Sequence, residues 1–202
     1  SYFDTSFIYS FSYDKRNQTY RPTSGYLSRF TQSLPIVSDG SPILNGYEIN
    51  TYKEIIDDMV VSLSFYGRAI NSLTDDDVRI SKRLYLPSKK LRGFEAGKIG
   101  PKDSNDYIGG NYSAAVNAAT TVPYIFQTLE NIDMKMFLDA ANVWGVDYSD
   151  TIDDSNKIRS SVGVAIDWFT VIGPLNFSLS QPITKAGSDK TEKFRFQIGT
   201  TF

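Results

Sequence analysis

No cysteine and no histidine occur among the 202 residues. Their absence excludes disulfides, the usual zinc sites, thiol nucleophiles and every triad or dyad built on an imidazole base. No stretch of about 18 apolar residues is present, so no segment reads as a membrane-crossing helix. Ser1–Tyr13 carries neither a basic start nor an unbroken apolar core, and so does not read as an export signal. Cationic excess is also missing. The formal net charge is -2, which gives no reason to expect a nucleic-acid partner. No calcium-loop spacing surrounds Asp75-Asp76-Asp77 or Asp153-Asp154, so both read as solvated acidic loops. Nothing in the chain calls for a cofactor.

Aromatic residues are abundant, with 13 Tyr, 13 Phe and 2 Trp. The mean hydropathy is nevertheless only -0.28. Strands that show one face to lipid and the other to water average out in this way. The dominant periodicity is two, not 3.6. Phe3, Thr5, Phe7, Tyr9, Phe11 and Tyr13 share one face of the first segment, with Ile8 out of phase. Gly25–Leu34, Gly46–Ile56, Met59–Ile70 and Tyr112–Val122 follow as further strands. Met134, Met136 and Leu138 alternate with Asp133, Lys135, Phe137 and Asp139. Ile158–Trp168, Leu175–Ser180 and Phe194–Phe202 repeat the pattern. About nine strands of about ten residues result, a length that crosses a bilayer when tilted.

A water-soluble antiparallel sandwich alternates in the same way and stays open on periodicity alone. Two features lean toward the membrane. The polar face carries Ser, Gly, Asn, Asp and Arg with little Lys or Glu, and Tyr13, Trp144, Trp168 and Phe202 sit at strand ends, where interfacial aromatics belong. One stretch breaks the rhythm. Residues 72–107 are long and charged, with room for a short strand within Arg79–Leu86, and a loop of that length is usually functional or disordered.

That loop contains Leu91-Arg92-Gly93-Phe94 followed by Ile99-Gly100-Pro101. The pattern resembles the inner-loop signature of outer-membrane protein assembly factors, the BamA-like members of the bacterial surface antigen superfamily. Tyr107–Asn111, Phe137–Trp144, Ile158–Asp167, Gly173–Ser178 and Phe194–Phe202 are similar to later family segments, in the right order, and Pro22-Thr23-Ser24-Gly25 to an early periplasmic turn. The resemblance spans essentially the whole chain.

It implies an all-β antiparallel transmembrane barrel in the bacterial outer membrane. Residues 1–202 would form strands eight to sixteen of a sixteen-strand barrel, an open, curved half-barrel, with POTRA domains and the first strands lying outside this chain. It implies no enzymatic activity. The implied work is the insertion of unfolded β-barrel proteins through a lateral seam. Outer-membrane lipids and the lipoproteins of an assembly complex, reached through the POTRA region, are the other implied partners. A translocation factor for autotransporters or two-partner secretion, and a passive pore, are the alternatives.

The 72–107 loop would fold into the lumen, and the latch would be Arg92, Gly93 and Phe94 against Asp139. Asp139 lies on the polar face of its strand by alternation alone, so it is expected to point inward. The bland alternative is that Arg92 is an exposed loop arginine. Asp139 and Asp133 could suggest paired carboxylates, but six residues along one strand face is too far for a dyad. Phe194, Phe196, Ile198, Gly199 and Phe202 would form the seam strand and its β-signal, with Gly199 expected to weaken pairing locally. The simpler reading is that these apolar residues merely face lipid. Two departures from the family stand out. Ala119 occupies a position where many members carry Glu as a second partner for the loop arginine. That leaves the latch to Asp139 alone, or to Asp133 or Asp167. Leu86-Pro87-Ser88-Lys89-Lys90 also lacks the double glycine common there.

Overall fold

The computed structural model describes residues 4–37, 41–123, 131–153, 155–171 and 173–199. Nine long or moderate strands lie in one antiparallel sheet, each hydrogen-bonded to its neighbours in chain order. These are β1 (Thr5–Asp14), β2 (Ser24–Val37), β3 (Pro42–Ile56), β4 (Met59–Ser72), β7 (Tyr112–Thr121), β8 (Ile132–Trp144), β9 (Arg159–Thr170), β10 (Gly173–Thr184) and β11 (Phe194–Ile198). Two two-residue strands, β5 (Lys102–Asp103) and β6 (Asp106–Tyr107), form a separate small ribbon inside the long loop. No helix among the described residues is long and apolar enough to cross a membrane, which says nothing of crossing by strands.

Register decides which residues share a face. Tyr26, Thr51, Leu63, Ala118, Leu138 and Val162 lie in one row across β2, β3, β4, β7, β8 and β9. Their face carries Phe7, Phe11, Tyr47, Phe65, Val116, Met136, Trp168, Leu179, Phe194, Phe196 and Ile198, all exposed. Phe196 is 45% and Ile198 67% exposed, so no second layer covers the stripe among the described residues. A water-soluble sandwich would bury that face. Here the outer surface is apolar and the inner one polar, the arrangement that hydrocarbon outside and a wet lumen inside demand.

The concave face is filled by the chain's own loop. Leu86, Leu91, Phe94 and Ile99 from the loop pack with Tyr66, Ala115, Ala141 and Val143 of the wall, and all eight are buried. Ile70, Val78 and Leu84 form a smaller apolar cluster, with Leu44 against it. The sheet curls enough for Arg21, in the β1–β2 turn, to reach Asp133 at the start of β8, with Nε donating to Oδ2 at 3.0 Å. Between the loop and the short-turn end of the sheet lies a cavity of about 810 Å³, bordered by Arg21, Glu54, Ser62, Lys89, Asp133 and Asp167.

Arg79–Leu86 forms no strand. Ile80–Lys82 makes one turn of 3-10 helix, and Leu84 makes a single bridge to Gly110. The segment lies inside the barrel wall rather than in it, so it has no neighbouring strand to pair with along its length. β11 is described as far as Ile198, and the last residues of the expected strand, 200–202, lie outside the described residues. Gly199 has φ +125°, and its N–H still donates to the Pro174 carbonyl of β10 at 2.9 Å. Phe202 and Phe3 lie outside the described residues.

The two faces differ enough for a direct comparison in the full-length protein. Val162→Arg, on the outer face, should lower folding stability in vesicles by about 2–4 kcal/mol if it sits near the midplane. Ser62→Arg, beside the inner cavity, should change it little. Denaturant titration of the membrane-folded barrel measures both.

Candidate functional site: the inner-loop apex and the wall that holds it

Asp139 sits in the middle of β8 with no exposed surface. Alternation turns it inward between Phe137 and Ala141, which are also buried. A buried carboxylate needs a counter-charge and hydrogen bonds, and the loop apex brings both. Arg92 Nε donates to Oδ2 at 2.7 Å and a terminal guanidinium nitrogen donates to Oδ1 at 2.7 Å. The Arg92 backbone N–H adds a third bond to Oδ2 at 3.1 Å. Asn117, directly across from Asp139 on β7, donates to Oδ1 at 2.9 Å. The two-pronged guanidinium contact fixes orientation as well as charge. The Arg92 guanidinium also lies over the Phe137 ring, 3.4 Å from its centroid, and so gains a cation–π contact where water is scarce.

The neighbouring residues hold the backbone in place. Ser161 on β9 donates to the Arg92 carbonyl, and Asn117 to that of Lys90 at 2.8 Å. Lys90 pairs with Glu48 on β3 and lies over the Tyr66 ring at 5.4 Å. Gly93 has φ +90°, and a Cβ there would sit 3.2 Å from the Cβ atoms of both Ser161 and Ser180. Both the backbone angle and the space favour glycine. Phe94 is only 2% exposed, wedged into the apolar cluster against the wall.

Asp139 is the carboxylate that meets Arg92. Asp133 binds Arg21 instead, and Asp167 is held by Lys135 at 2.6 Å and by Asn176. Ala119 offers no polar group, and Asn117, two residues earlier on the same inward face, supplies the second wall contact. Neither Asn117 nor Ser161 stood out in the sequence. Pairing the two strands in register would have placed Asn117 opposite Asp139.

Toward the long-loop end a second tie holds the loop. Arg83 has a fully buried side chain and pairs with Asp147 of the β8–β9 connection. Asp147 also accepts from the Val78 N–H at 2.9 Å and from Asn111 at 2.8 Å. Partial burial pushes the Asp147 carboxyl up, but the bonds from Val78, Asn111 and Arg83 outweigh it and hold the group below its ordinary value.

Trp144 ends β8 near this tie, stacked on Tyr112 with centroids 5.7 Å apart. Trp168 is 41% exposed near the end of β9, opposite Ile132, at the short-turn end. The two tryptophans thus mark opposite ends of the outer face. Of the expected seam residues, Phe194, Phe196 and Ile198 are exposed on that face, whereas Arg195 between them points inward to the loop.

The pattern of the Omp85 superfamily domain matches residues 1–202. The chain belongs to the Omp85 superfamily. Over 139 residues it is 31% identical to outer membrane protein assembly factor BamA of Neisseria meningitidis serogroup B, covering 55% of this chain and 17% of that protein. The BamA of Neorickettsia risticii is 26% identical over 200 residues, covering 96% of this chain and 27% of the relative. The human sorting and assembly machinery component 50 homolog is 29% identical over 151 residues, covering 68% of this chain and 31% of the relative. The crystal structure of BamA from Haemophilus ducreyi lacking POTRA domains 1-3 superposes with a TM-score of 0.86 at 28% identity, covering 95% of this chain and 41% of that one. The chain therefore spans less than half the length of each. These Omp85 relatives are named for assembly, not for catalysis.

Two outcomes test the site's geometry. Gly93→Ala should cost about 1–3 kcal/mol through the left-handed backbone alone, read as a lower denaturation midpoint of the full-length barrel. Acid should release the long-loop end. Because the Asp147 carboxyl is held low, its tie is intact above the ordinary carboxylate value of about 3.9 and is lost as pH falls through the depressed one. Asp147→Asn should therefore show at neutral pH the proteolytic cleavage within residues 73–82 that the unaltered protein shows only in acid.

Proposed function

We propose that this chain is the C-terminal wall of an outer-membrane factor that assembles β-barrel proteins. In this reading Arg92, Gly93, Phe94 and Asp139 latch the inner loop. Phe194, Phe196, Ile198, Gly199 and Phe202 belong to the strand at the lateral seam. The observation that carries the reading is the Arg92–Asp139 pair, seated in the inner wall of a sheet whose outer face is apolar. The relatives' names, assembly factor BamA and sorting and assembly machinery component 50, support it.

The mechanism follows from solvent. Inside hydrocarbon every backbone N–H and C=O must find a partner, so an unfolded strand cannot enter alone. A strand edge offered by the factor supplies those partners while the substrate forms its own hairpins, which is strand addition put to use. β11 suits this role. Its outer side chains face lipid, it has one neighbouring strand among the described residues, and Gly199 adopts a φ of +125° that departs from ordinary strand geometry. The apolar face with Trp144 and Trp168 toward its two ends would sit among outer-membrane lipids. Lipoprotein partners would act through POTRA domains outside this chain. The seated loop fills much of the concave face with buried apolar side chains, which favours an assembly role over a passive pore.

Arg92→Ala in the full-length protein leaves Asp139 buried without its cation, a local cost of about 3–5 kcal/mol. It should cut assembly of outer-membrane barrels about tenfold in cells depleted of the native factor, while the variant itself still reaches the membrane. Asp139→Asn should fall between the two. Full rescue by Arg92→Ala would remove the latch from the mechanism.

A further inference from the structure

We propose that Arg195 joins the last strand to the loop apex, so that β11 cannot leave the wall while the loop is seated. The inference rests on the reading of Arg92 as the latch and of β11 as the seam strand, and adds a positioning residue that couples them.

Arg195 lies between two lipid-facing phenylalanines, and its own side chain turns inward and is nearly buried. One terminal nitrogen donates to the Ser88 carbonyl and the other to the Phe94 carbonyl, on either side of the Arg92 turn. Gln197, the next inward residue, donates to Ser88 Oγ at 3.0 Å. The segment leading into β11 joins the same apex through its backbone. Glu192 N–H donates to the Gly93 carbonyl at 3.1 Å, and Glu95 N–H to the Lys190 carbonyl at 3.0 Å. Phe94 and Thr191 form an antiparallel bridge. The loop apex thus lies alongside the approach to β11, joined to it by one isolated bridge and these backbone bonds.

These contacts weigh heavily because β11 has one neighbouring strand among the described residues. Among the described residues it pairs with β10 over Leu175–Leu179 against Phe194–Ile198, flanked by backbone bonds from Ser180 to Lys193 and from Gly199 to Pro174. A guanidinium spanning two carbonyls makes charge-assisted bonds that a neutral side chain cannot reproduce. Glu192 is the counter-charge, accepting from Arg195 at 2.7 and 3.0 Å. It lies on the same chain segment and would travel with the strand. Arg195 therefore keeps a carboxylate when the loop lets go, which makes the joint releasable rather than permanent. Loop and strand become two ends of one equilibrium. Loosening the apex at Asp139 should free β11, and displacing β11 should strain the apex.

Hydrogen exchange of the full-length protein in lipid vesicles tests this, read on residues 88–95 and 194–198. Arg92→Ala, which alters nothing on the last strand, should raise exchange in both segments by about tenfold. Arg195→Gln should do the same, and the double variant should exceed neither single by much, because both act through one seated loop. If Arg92→Ala loosens 88–95 and leaves 194–198 as in the unaltered protein, or if the two effects simply add, the coupling is wrong. Should Arg195→Gln fail to reach the membrane, the Arg92→Ala result at 194–198 decides alone. Assembly in depleted cells separates the two ideas. Normal assembly by Arg92→Ala defeats the latch, whereas lost assembly with an unaffected β11 defeats only the joint.

Discussion

A carboxylate stripped of water is costly unless its charge is answered and its lone pairs are filled, and Asp139 is completely buried in the wall of the sheet. Much of the loop's placement follows from meeting that demand. Arg92 must come within bonding distance on both oxygens. Its backbone must turn at once, which Gly93 allows, and the chain must then find an apolar resting place, which Phe94 does. Asn117 fills what remains. The pair is less a source of net stability than a specifier of one position, since the two charges lose much of their attraction to desolvation. What it supplies is uniqueness. A long charged loop could settle in a wide lumen in many ways, and only one of them satisfies Asp139.

The second constraint is the difference between the solvents on the two faces of one sheet. Side chains on β8 alternate between exposed Met136 and Leu138 and buried Phe137 and Asp139. A slip of one residue in register would carry Asp139 outward to hydrocarbon and Leu138 into the lumen. The Arg92–Asp139 pair and the apolar outer stripe therefore specify the same register. Each inward polar group then has a task assigned by its height in the wall. Near the short turns Asp133 and Asp167 meet Arg21 and Lys135. At mid-height Asp139 takes Arg92. Toward the long loops Arg159 takes Asp189, with Nε donating to Oδ2 at 2.9 Å, and Arg83 takes Asp147.

Much of this is legible in the sequence alone. Alternation assigned Asp139, Leu138, Phe196 and Ile198 to their faces, because a period of two is a direct statement about side-chain direction. The strand segments were found to within a few residues. The partnership of Arg92 with Asp139 came from the family pattern together with that assignment. What stayed hidden was whatever depends on register or on irregular backbone. Asn117 needed the β7–β8 pairing to be placed opposite Asp139. Arg195 looked like one more polar residue in an alternating strand, because its partners are the carbonyls of Ser88 and Phe94, and backbone acceptors leave no mark on sequence. Arg79–Leu86 carried alternation enough for a strand. A strand also needs a neighbour, and a segment folded inside the barrel has none along its length.

Ala119, where the resemblance implies a glutamate, lets the wall be read without a second carboxylate. A second carboxylate facing Arg92 would add charge to a lumen where Asp139 already balances the guanidinium. With alanine there, the amide of Asn117 donates at once to Asp139 and to the Lys90 carbonyl, at 2.9 and 2.8 Å. One neutral group thereby ties the carboxylate to the loop backbone without introducing a charge that needs its own partner. The cost is that Arg92 depends on a single counter-ion. That dependence is offset by anchors that do not involve Asp139: Lys90 on Glu48, Ser161 on the Arg92 carbonyl, and Arg195 on either side of the turn. With Asp139 fixing its position and a further ion pair, a hydroxyl and the Arg195 guanidinium around it, the apex is held by several bonds besides the central one. If the apex both seats and lets go, as in the proposed function, that distribution suits it, because such bonds can be exchanged one at a time.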